Sequence, residues 1–457
     1  MKRNGWLERL KMPMLYGLGL GLVFFVMLSY RLEYDFGWHV AAGDYIRAHG
    51  LPLRDVFTYT APNFAWVNHE WLHDVVLSWL MGVGGYGLVA VVFAVGWAGA
   101  VMLAARRQVF VILLLAAEAV LPFSAARPAL WGFLGFALTQ RVLEAPRRWQ
   151  WVVLPAVAVL WANVHGSFPL LLLLIGAAWW QRRDRWTGLL LAVCAGLTLL
   201  NPYGWRVYEE IVRTLLDPGL GRYVQEWRAF DLPVLAVVFA VAYMALWWEF
   251  EAKKRLVSWP FGLLGAAVVS ARHLPFFVAA SVRGLEDYAL RLDQRIRRGQ
   301  AKRSLAMWII FCGVAGGVAQ NTWFAGHLLG HDPAYQMPQG SAVYLAAHPC
   351  AGRVFSDYDF GGYLLWKVPG MQTYVDGRMP SWRDAHGARY LDRYLRVIRD
   401  DQYRDAEFAR YRVGCVVVAR DGARASHGLG VELQAAGWQV RAADAVSVVL
   451  VRPGGQR

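Results

Sequence analysis

Cysteine is scarce: Cys194, Cys312, Cys350 and Cys415 are the only four in 457 residues, and no two are closely spaced. That spacing excludes a zinc site built on cysteine pairs. Cys350 and Cys415 share the C-terminal stretch; they would pair if it faces an oxidising compartment and stay two thiols otherwise. Charge is thin, at 18% of residues, and acids are outnumbered, with 33 Asp and Glu against 47 Lys and Arg, for a net charge of +14. Such an excess can serve nucleic acid. Here the basic residues fall in short runs between apolar stretches, as cytoplasmic loops do, so no nucleic-acid partner is expected. A small-residue cleavage site is missing after the first apolar run, which follows "MKRNGWLERLK" and therefore reads as an anchor rather than a removed signal peptide. Internal repeats and low-complexity tracts are missing too.

What is present is apolar. Hydrophobic residues make up 57% of the chain, with 23 tryptophans, and the mean hydropathy is +0.31. These values exclude an ordinary soluble enzyme and point to a polytopic membrane protein surrounded by membrane lipids. Apolar segments run at about 12–30, 87–104, 108–123, 128–144, 151–163, 168–180, 186–200, 232–249, 257–271, 274–287 and 304–322. Several are shorter than the roughly 20 residues of a straight span. Basic runs fix an orientation: Lys2, Arg3, Arg9 and Lys11; Arg106 and Arg107; Arg147 and Arg148; Arg182, Arg183 and Arg185; Lys253, Lys254 and Arg255; and the cluster from Arg291 to Arg303. With about eleven spans all of these land on one side, the cytoplasmic one. A first loop (31–86), an amphipathic segment (205–231) and everything after about 323 then lie outside. The organisation expected is a membrane domain over 1–322 and an extracytoplasmic domain over 323–457. In the latter, "GCVVVAR" and "AVSVVLVR" read as strands of a small α/β fold.

Polar residues gather where the bilayer meets the outside. Outer turns carry Arg127 ("SAARP"), His165 ("ANVHGS"), Asn201 ("NPYG"), and Arg272 and His273 ("SARHLPFF"). Ionisable groups at that depth usually face a protein-lined cavity. A helix cap or a snorkelling side chain explains any one of them; turns that all point to one face make a shared cavity the better reading. Glu118, inside a span, reads as the structural partner of a buried base. The first loop opens with Glu33, Asp35 and His39, runs as a helix to His49, breaks at Gly50 and Pro52, and reaches "WVNHEWLH". Residues 70–81 have one apolar face and are too short to cross, so they are expected flat on the membrane surface.

Within that stretch His69, Glu70 and His73 spell H-E-x-x-H, which on a helix sets two histidines on one face for zinc with a glutamate base alongside. Zinc needs a third protein ligand, which His39 or Asp35 could supply. The remaining context of a membrane protease is missing: the "DG" pair after the spans, Asp376-Gly377, falls in the C-terminal domain.

The layout "YDFGWHVAAGDYIRAHGLPLRD…WVNHEWLHDVVLSWL" resembles the GT-C superfamily of integral-membrane glycosyltransferases that use polyprenyl-phosphate-linked sugars. These have one span, a large outer loop opening with a catalytic acid, membrane-parallel helices, many further spans and an outer C-terminal domain. Of the family's acidic pair only Asp35 is present, since Phe36 fills the second position, and histidines replace the lysine of the polar cluster. The segment "VFSDYDFGGYLLWKVPGMQTYVDGR" is similar, more distantly, to the acceptor-contacting segment of oligosaccharyltransferases. That likeness implies acceptor-side roles for Asp357, Asp359, Asp376 and Arg378. The combination "HEWL…ANVHG…NPYG…EWR…RH" is also like that of bacterial GT-C-like proteins.

The resemblance implies a polytopic α-helical membrane protein, GT-C-like, with a small C-terminal α/β extracytoplasmic domain. Its activity would be inverting transfer of a hexosyl or pentosyl group from a polyprenyl-phosphate donor to an acceptor outside. Asp35 would be the general base. His39, His69, Glu70, His73, Arg127, His165, Asn201, Arg272 and His273 would bind the donor. A divalent metal ion bridging Asp35 and phosphate stays open as a cofactor. The alternatives from other classes are the H-E-x-x-H zinc metalloprotease and a non-catalytic lipid-glycan transporter or scaffold.

Overall fold

The structure, a computed structural model, describes residues 5–224, 227–228, 233–251, 259–299, 305–328, 332–420 and 427–453. Lys2, Arg3, Lys253, Lys254, Arg255 and Arg303, used above for orientation, lie outside the described residues, as does part of the amphipathic segment 205–231. The chain alternates between two compact units. The first comprises Met1–Ser29, Gly87–Val207 and Leu220–Gly330; the second comprises Tyr30–Tyr86, Tyr208–Gly219 and His331–Arg457. The first loop therefore folds in the same unit as the C-terminal stretch, a grouping set by tertiary contact rather than chain order.

The first unit is helical. It begins with α1 (Gly5–Tyr30). Three helices among the described residues are long and apolar enough to cross a membrane: α1 over Met12–Ser29, the helix Trp71–Ala104, and Val234–Glu251. Four apolar helices are shorter, Phe110–Phe123, Ala129–Leu143, Arg185–Leu197 and Trp259–Val269. These helices by themselves do not confirm the expected count of about eleven spans. The physical reason is local: the helix Phe110–Val120 has 11 residues, rising about 17 Å where a hydrocarbon core measures about 30 Å. Leu121-Pro122 then turns the chain into a short 3-10 segment.

Buried acids stitch this unit. Glu286 accepts hydrogen bonds from the backbone N–H groups of Arg106, Arg107 and Val109 at 2.7, 2.9 and 2.9 Å, satisfying donors ahead of the helix at 110. Glu118 accepts from the Asn321 side-chain amide at 2.6 Å. The sequence pointed to a buried base there; the observed partner is a neutral amide, which meets the carboxyl's hydrogen-bonding need without burying a second charge.

The second unit opens with α2 (Phe36–His49), followed after a loop by the start of α3 (Trp71–Ala104). Gly85, at φ 63° and ψ −166°, interrupts α3. The helical stretch that contains the run 70–81 thereby breaks, four residues past it, at a conformation that glycine adopts without strain. The C-terminal part carries a four-stranded sheet of order β1-β2-β4-β3, from β1 (Arg353–Ser356), β2 (Val413–Ala419), β3 (Gln439–Ala443) and β4 (Ser447–Val451). "GCVVVAR" supplies β2, every residue of which is buried, and "AVSVVLVR" supplies β4. A run apolar on both faces suits a central strand covered on each side. β1 pairs parallel with β2, which requires a crossover, and the helices Tyr358–Lys367, Tyr390–Arg399 and Asp401–Tyr411 provide it. A disulfide joins Cys350 to Cys415, with Cα atoms 6.0 Å apart, tying the entry of β1 to β2. The first loop adds to this frame through a parallel bridge between Thr58 and Thr373. Tyr59 N–H donates to the Thr373 carbonyl at 3.1 Å, and Thr373 N–H donates to that of Phe57 at 2.9 Å.

Candidate active site

Asp35 stands at the mouth of α2. It occupies the N-cap position, yet its side chain makes no capping hydrogen bond. Instead Oδ1 accepts from the Trp38 indole N–H at 3.0 Å, while the Asp35 backbone N–H donates to Glu33 Oε2 at 3.1 Å. The i, i+3 spacing of Asp35 and Trp38 brings the ring back over the first turn. Two other backbones press in. Gly37 abuts the Gly362 backbone, where any Cβ would overlap it, so α2 and the helix Tyr358–Lys367 cross at closest approach. Gly377 abuts Asp35 itself: a Cβ there would collide with Oδ1 and lie 3.1 Å from the Trp38 indole nitrogen. The carboxylate is therefore positioned by an indole donor and a glycine backbone.

The surroundings are acidic. Tyr358 begins the helix that carries Asp359 in its first turn. Burial, then the charges of Asp35, Asp376, Asp359 and Glu33, push its phenol well above the ordinary 10.0. The phenol therefore stays protonated and available as a donor. Asp357 is engaged elsewhere: Oδ1 accepts from the Tyr394 hydroxyl at 3.0 Å and Oδ2 from the Ala419 N–H at 3.0 Å.

Asp376 and Arg378 form a buried ion cluster with Asp55. Arg378 forks onto Asp376 through Nε at 2.8 Å and Nη2 at 2.7 Å, and reaches Asp55 through Nη1 at 2.7 Å. Its guanidinium carbon lies 4.9, 4.7 and 5.3 Å from the ring centroids of Phe57, Trp66 and Trp382. Planar Arg suits both a carboxylate fork and an aromatic cage. Thr373 adds a hydrogen bond to Asp376 at 3.1 Å. This cluster fixes the loop that presents Gly377 to Asp35.

The H-E-x-x-H letters do not form a zinc-protease site. His69 and Glu70 sit in a turn, and the helix begins only at Trp71. Asn68 marks the turn: its side-chain oxygen accepts from the Glu70 N–H at 3.2 Å, an Asx turn just ahead of the helix. His69 Nε2 lies 3.6 Å from Glu70 Oε1. His73, one turn on, is grouped instead with His39 and Asp74. His39 Nδ1 hydrogen-bonds Asp74 Oδ1 at 2.6 Å, and Asn68 Nδ2 donates to Asp74 Oδ2 at 2.7 Å.

The other expected residues belong to the first unit. Arg127 lies in the turn before the helix Ala129–Leu143. His165 ends the helix Arg147–Val164, its Nδ1 2.6 Å from Ser167 Oγ. Asn201 donates to the Ala162 carbonyl at 2.6 Å and accepts from the Tyr203 N–H at 2.9 Å; Asn163 returns a bond to the Leu200 carbonyl at 3.0 Å. These amides lace the turns bearing His165 and Asn201 together. Arg272 and His273 share a 3-10 turn, with Arg272 stacked over Trp227 at 5.2 Å. The sequence reading did not single out Trp38, Tyr358 or Asp55, and it named Gly377 only beside Asp376 in weighing the protease. Only the i, i+3 pairing of Asp35 with Trp38 left a readable signal.

A chain with apolar helices of membrane-spanning length, an acid at the start of its first loop and a small α/β unit falls within the polytopic membrane class. No family model matches the sequence, and no curated protein is found to match it. Solved structures do share its fold. The archaeal oligosaccharyltransferase AglB from Archaeoglobus fulgidus, in complex with an inhibitory peptide and a dolichol-phosphate, aligns with a TM-score of 0.60 at 11% identity, over 89% of this chain and 69% of that one. ArnT from Cupriavidus metallidurans bound to undecaprenyl phosphate aligns at 0.53 and 15% identity, over 98% of each chain. Its apo form gives 0.53 and 14%, over 97% and 98%. The likeness is one of fold alone.

Proposed function

We propose that this chain transfers a sugar from a polyprenyl-phosphate-linked donor to an acceptor hydroxyl, with inversion, at the outer face of a bacterial inner membrane. The observation that carries the reading is the seat of Asp35, a first-loop carboxylate spent on no helix cap and held by Trp38 and Gly377. The fold it shares with proteins solved with dolichol-phosphate and undecaprenyl phosphate supports the donor class. In the reaction Asp35 accepts the acceptor's hydroxyl proton, the freed oxygen bonds to the sugar's C1, and the C1–O bond to phosphate breaks. Polyprenyl phosphate leaves. Arg127, His165, Arg272 and His273 neutralise its charge, as positioned cations do where charge develops. Glu70 orients His69, and both serve the donor side. Asp359 and the Tyr358 hydroxyl serve the acceptor, whereas Asp357, Asp376 and Arg378 act as positioning residues. The Cys350–Cys415 disulfide supports a C-terminal stretch facing an oxidising compartment.

The test is release of free polyprenyl phosphate, followed by mass spectrometry, from purified protein in nanodiscs supplied with membrane lipid and glycan extracts. Asp35→Asn keeps an oxygen that can accept from Trp38 but takes no proton, so release should fall ~100-fold or more in a folded protein. Glu33→Gln is the control. Full activity in Asp35→Asn with loss in Glu33→Gln would reassign the base, and full activity in both would remove the carboxylate mechanism.

A further inference from the structure

We propose that His39, His73 and Asp74 form a site for a zinc-class divalent ion that pins α2 to the first turn of α3. One ligand atom from each lies within 4.8 Å of the others, and all three residues are buried. Two imidazoles and a carboxylate are a donor set that zinc takes, with a fourth position for water. Nitrogen donors disfavour magnesium and calcium, which select oxygen.

Neighbouring groups orient the three side chains. Asn68 holds the second oxygen of Asp74 at 2.7 Å, the kind of outer hydrogen bond that orients a metal-binding carboxylate. The His39 ring stacks on Trp38 at 3.6 Å and meets the His73 ring edge-on at 4.8 Å. Gly43 of α2 sits against the Asp74 carbonyl with no room for a Cβ, so the two helices meet where the ligands are.

The rival occupant is a proton. His39 Nδ1 and Asp74 Oδ1 stand 2.6 Å apart, a hydrogen-bond distance. Ligand atoms 2.0–2.2 Å from a shared tetrahedral ion stand roughly 3.3 Å apart, so loading replaces that proton and opens the pair by about 0.7 Å. Binding therefore releases protons and weakens on acidification. Asp35 is not in the set, so this ion is structural and the inference does not depend on sugar transfer.

The full chain, purified in detergent, is stripped with a chelator, equilibrated with zinc, desalted and assayed for metal by mass spectrometry. About one zinc per chain should remain. The unfolding midpoint should rise by roughly 5–10 °C at zinc about 100-fold above its Kd. His73→Gln and Asp74→Asn should each weaken binding at least ~10-fold, while His69→Gln should not. Cobalt added to the stripped parent should give the visible spectrum of a four-coordinate site, a readout that needs no variant to fold. Zinc retention by the parent no greater than by His73→Gln, or no cobalt spectrum, would leave a hydrogen-bonded core network and overturn the site. Equal loss in His69→Gln would move the ion to the H-E-x-x-H residues and overturn it as well.

Discussion

Replacing Arg378 with methionine should strongly destabilise the second unit. Arg378, Asp55 and Asp376 are 8%, 3% and 0% exposed, so neither carboxylate can turn to bulk water when the guanidinium is removed. Three hydrogen bonds from Arg378 side-chain nitrogens are lost. What remains is partial. Asp55 keeps bonds from the N–H groups of Phe57 and Thr58 and from the Thr58 hydroxyl; Asp376 keeps the Thr373 hydroxyl and the backbone N–H at 378. Breaking a buried ion pair by removing one partner costs about 3–5 kcal/mol. For a domain of 150–250 residues that lowers the unfolding midpoint by roughly 10 °C. Intrinsic fluorescence during heating is a direct assay, because Trp66 and Trp382 line the cage. Arg378→Lys, which keeps charge without the planar fork, should fall between parent and methionine. Asp55→Asn, Arg378→Met and Asp376→Asn combined leaves no uncompensated charge and should recover more than half of the loss. A midpoint for Arg378→Met within about 2 °C of the parent, under 1 kcal/mol by the same scale, would refute the argument that the cluster holds the loop at Gly377.

Gly377→Ala sets a methyl against Asp35 Oδ1, so polyprenyl phosphate release should drop at least ~10-fold with an overpacking penalty of about 1–3 kcal/mol; parent-like turnover would show that Asp35 tolerates displacement. Loss of the Cys350–Cys415 link by Cys415→Ser opens a loop of 65 residues and should destabilise by roughly 4 kcal/mol, read from thermal melts with and without reductant. Asp217 is held below its ordinary value: burial acts upward, but hydrogen bonds from Arg389 and the Gly219 N–H, with the charges of Arg389 and Arg383, outweigh it. A depressed carboxyl contributes stability that is complete above its unfolded value, near 4, and is lost as pH falls through the folded one. The midpoint gap between parent and Asp217→Asn should therefore narrow from pH 6 to pH 3, and a constant gap would remove the linkage.

Along the chain, what could be read was whatever depends on neighbours a few residues away. The apolar run "GCVVVAR" determined a buried central strand, because a stretch with no polar face has no side to give to water. The run from Asp35 to His49 determined α2, and Gly50, at φ 83°, closed it. The place of Asp35 just after the first apolar helix needed no tertiary knowledge either. Local pattern failed at "NHEWLH". The five letters assume a helix through His69, whereas the hydrogen bond from the Glu70 N–H to Asn68 marks that stretch as a turn. The number of spans could not be read this way either, since hydropathy reports how apolar a segment is and not where its helix stops. Tertiary structure alone decided that Asp55 would meet Arg378 across 323 positions and that His39 would meet Asp74 across 35. It alone set Gly377 against Asp35. Such meetings depend on which backbones can approach when the loop between them closes, and no periodicity along the chain encodes that distance.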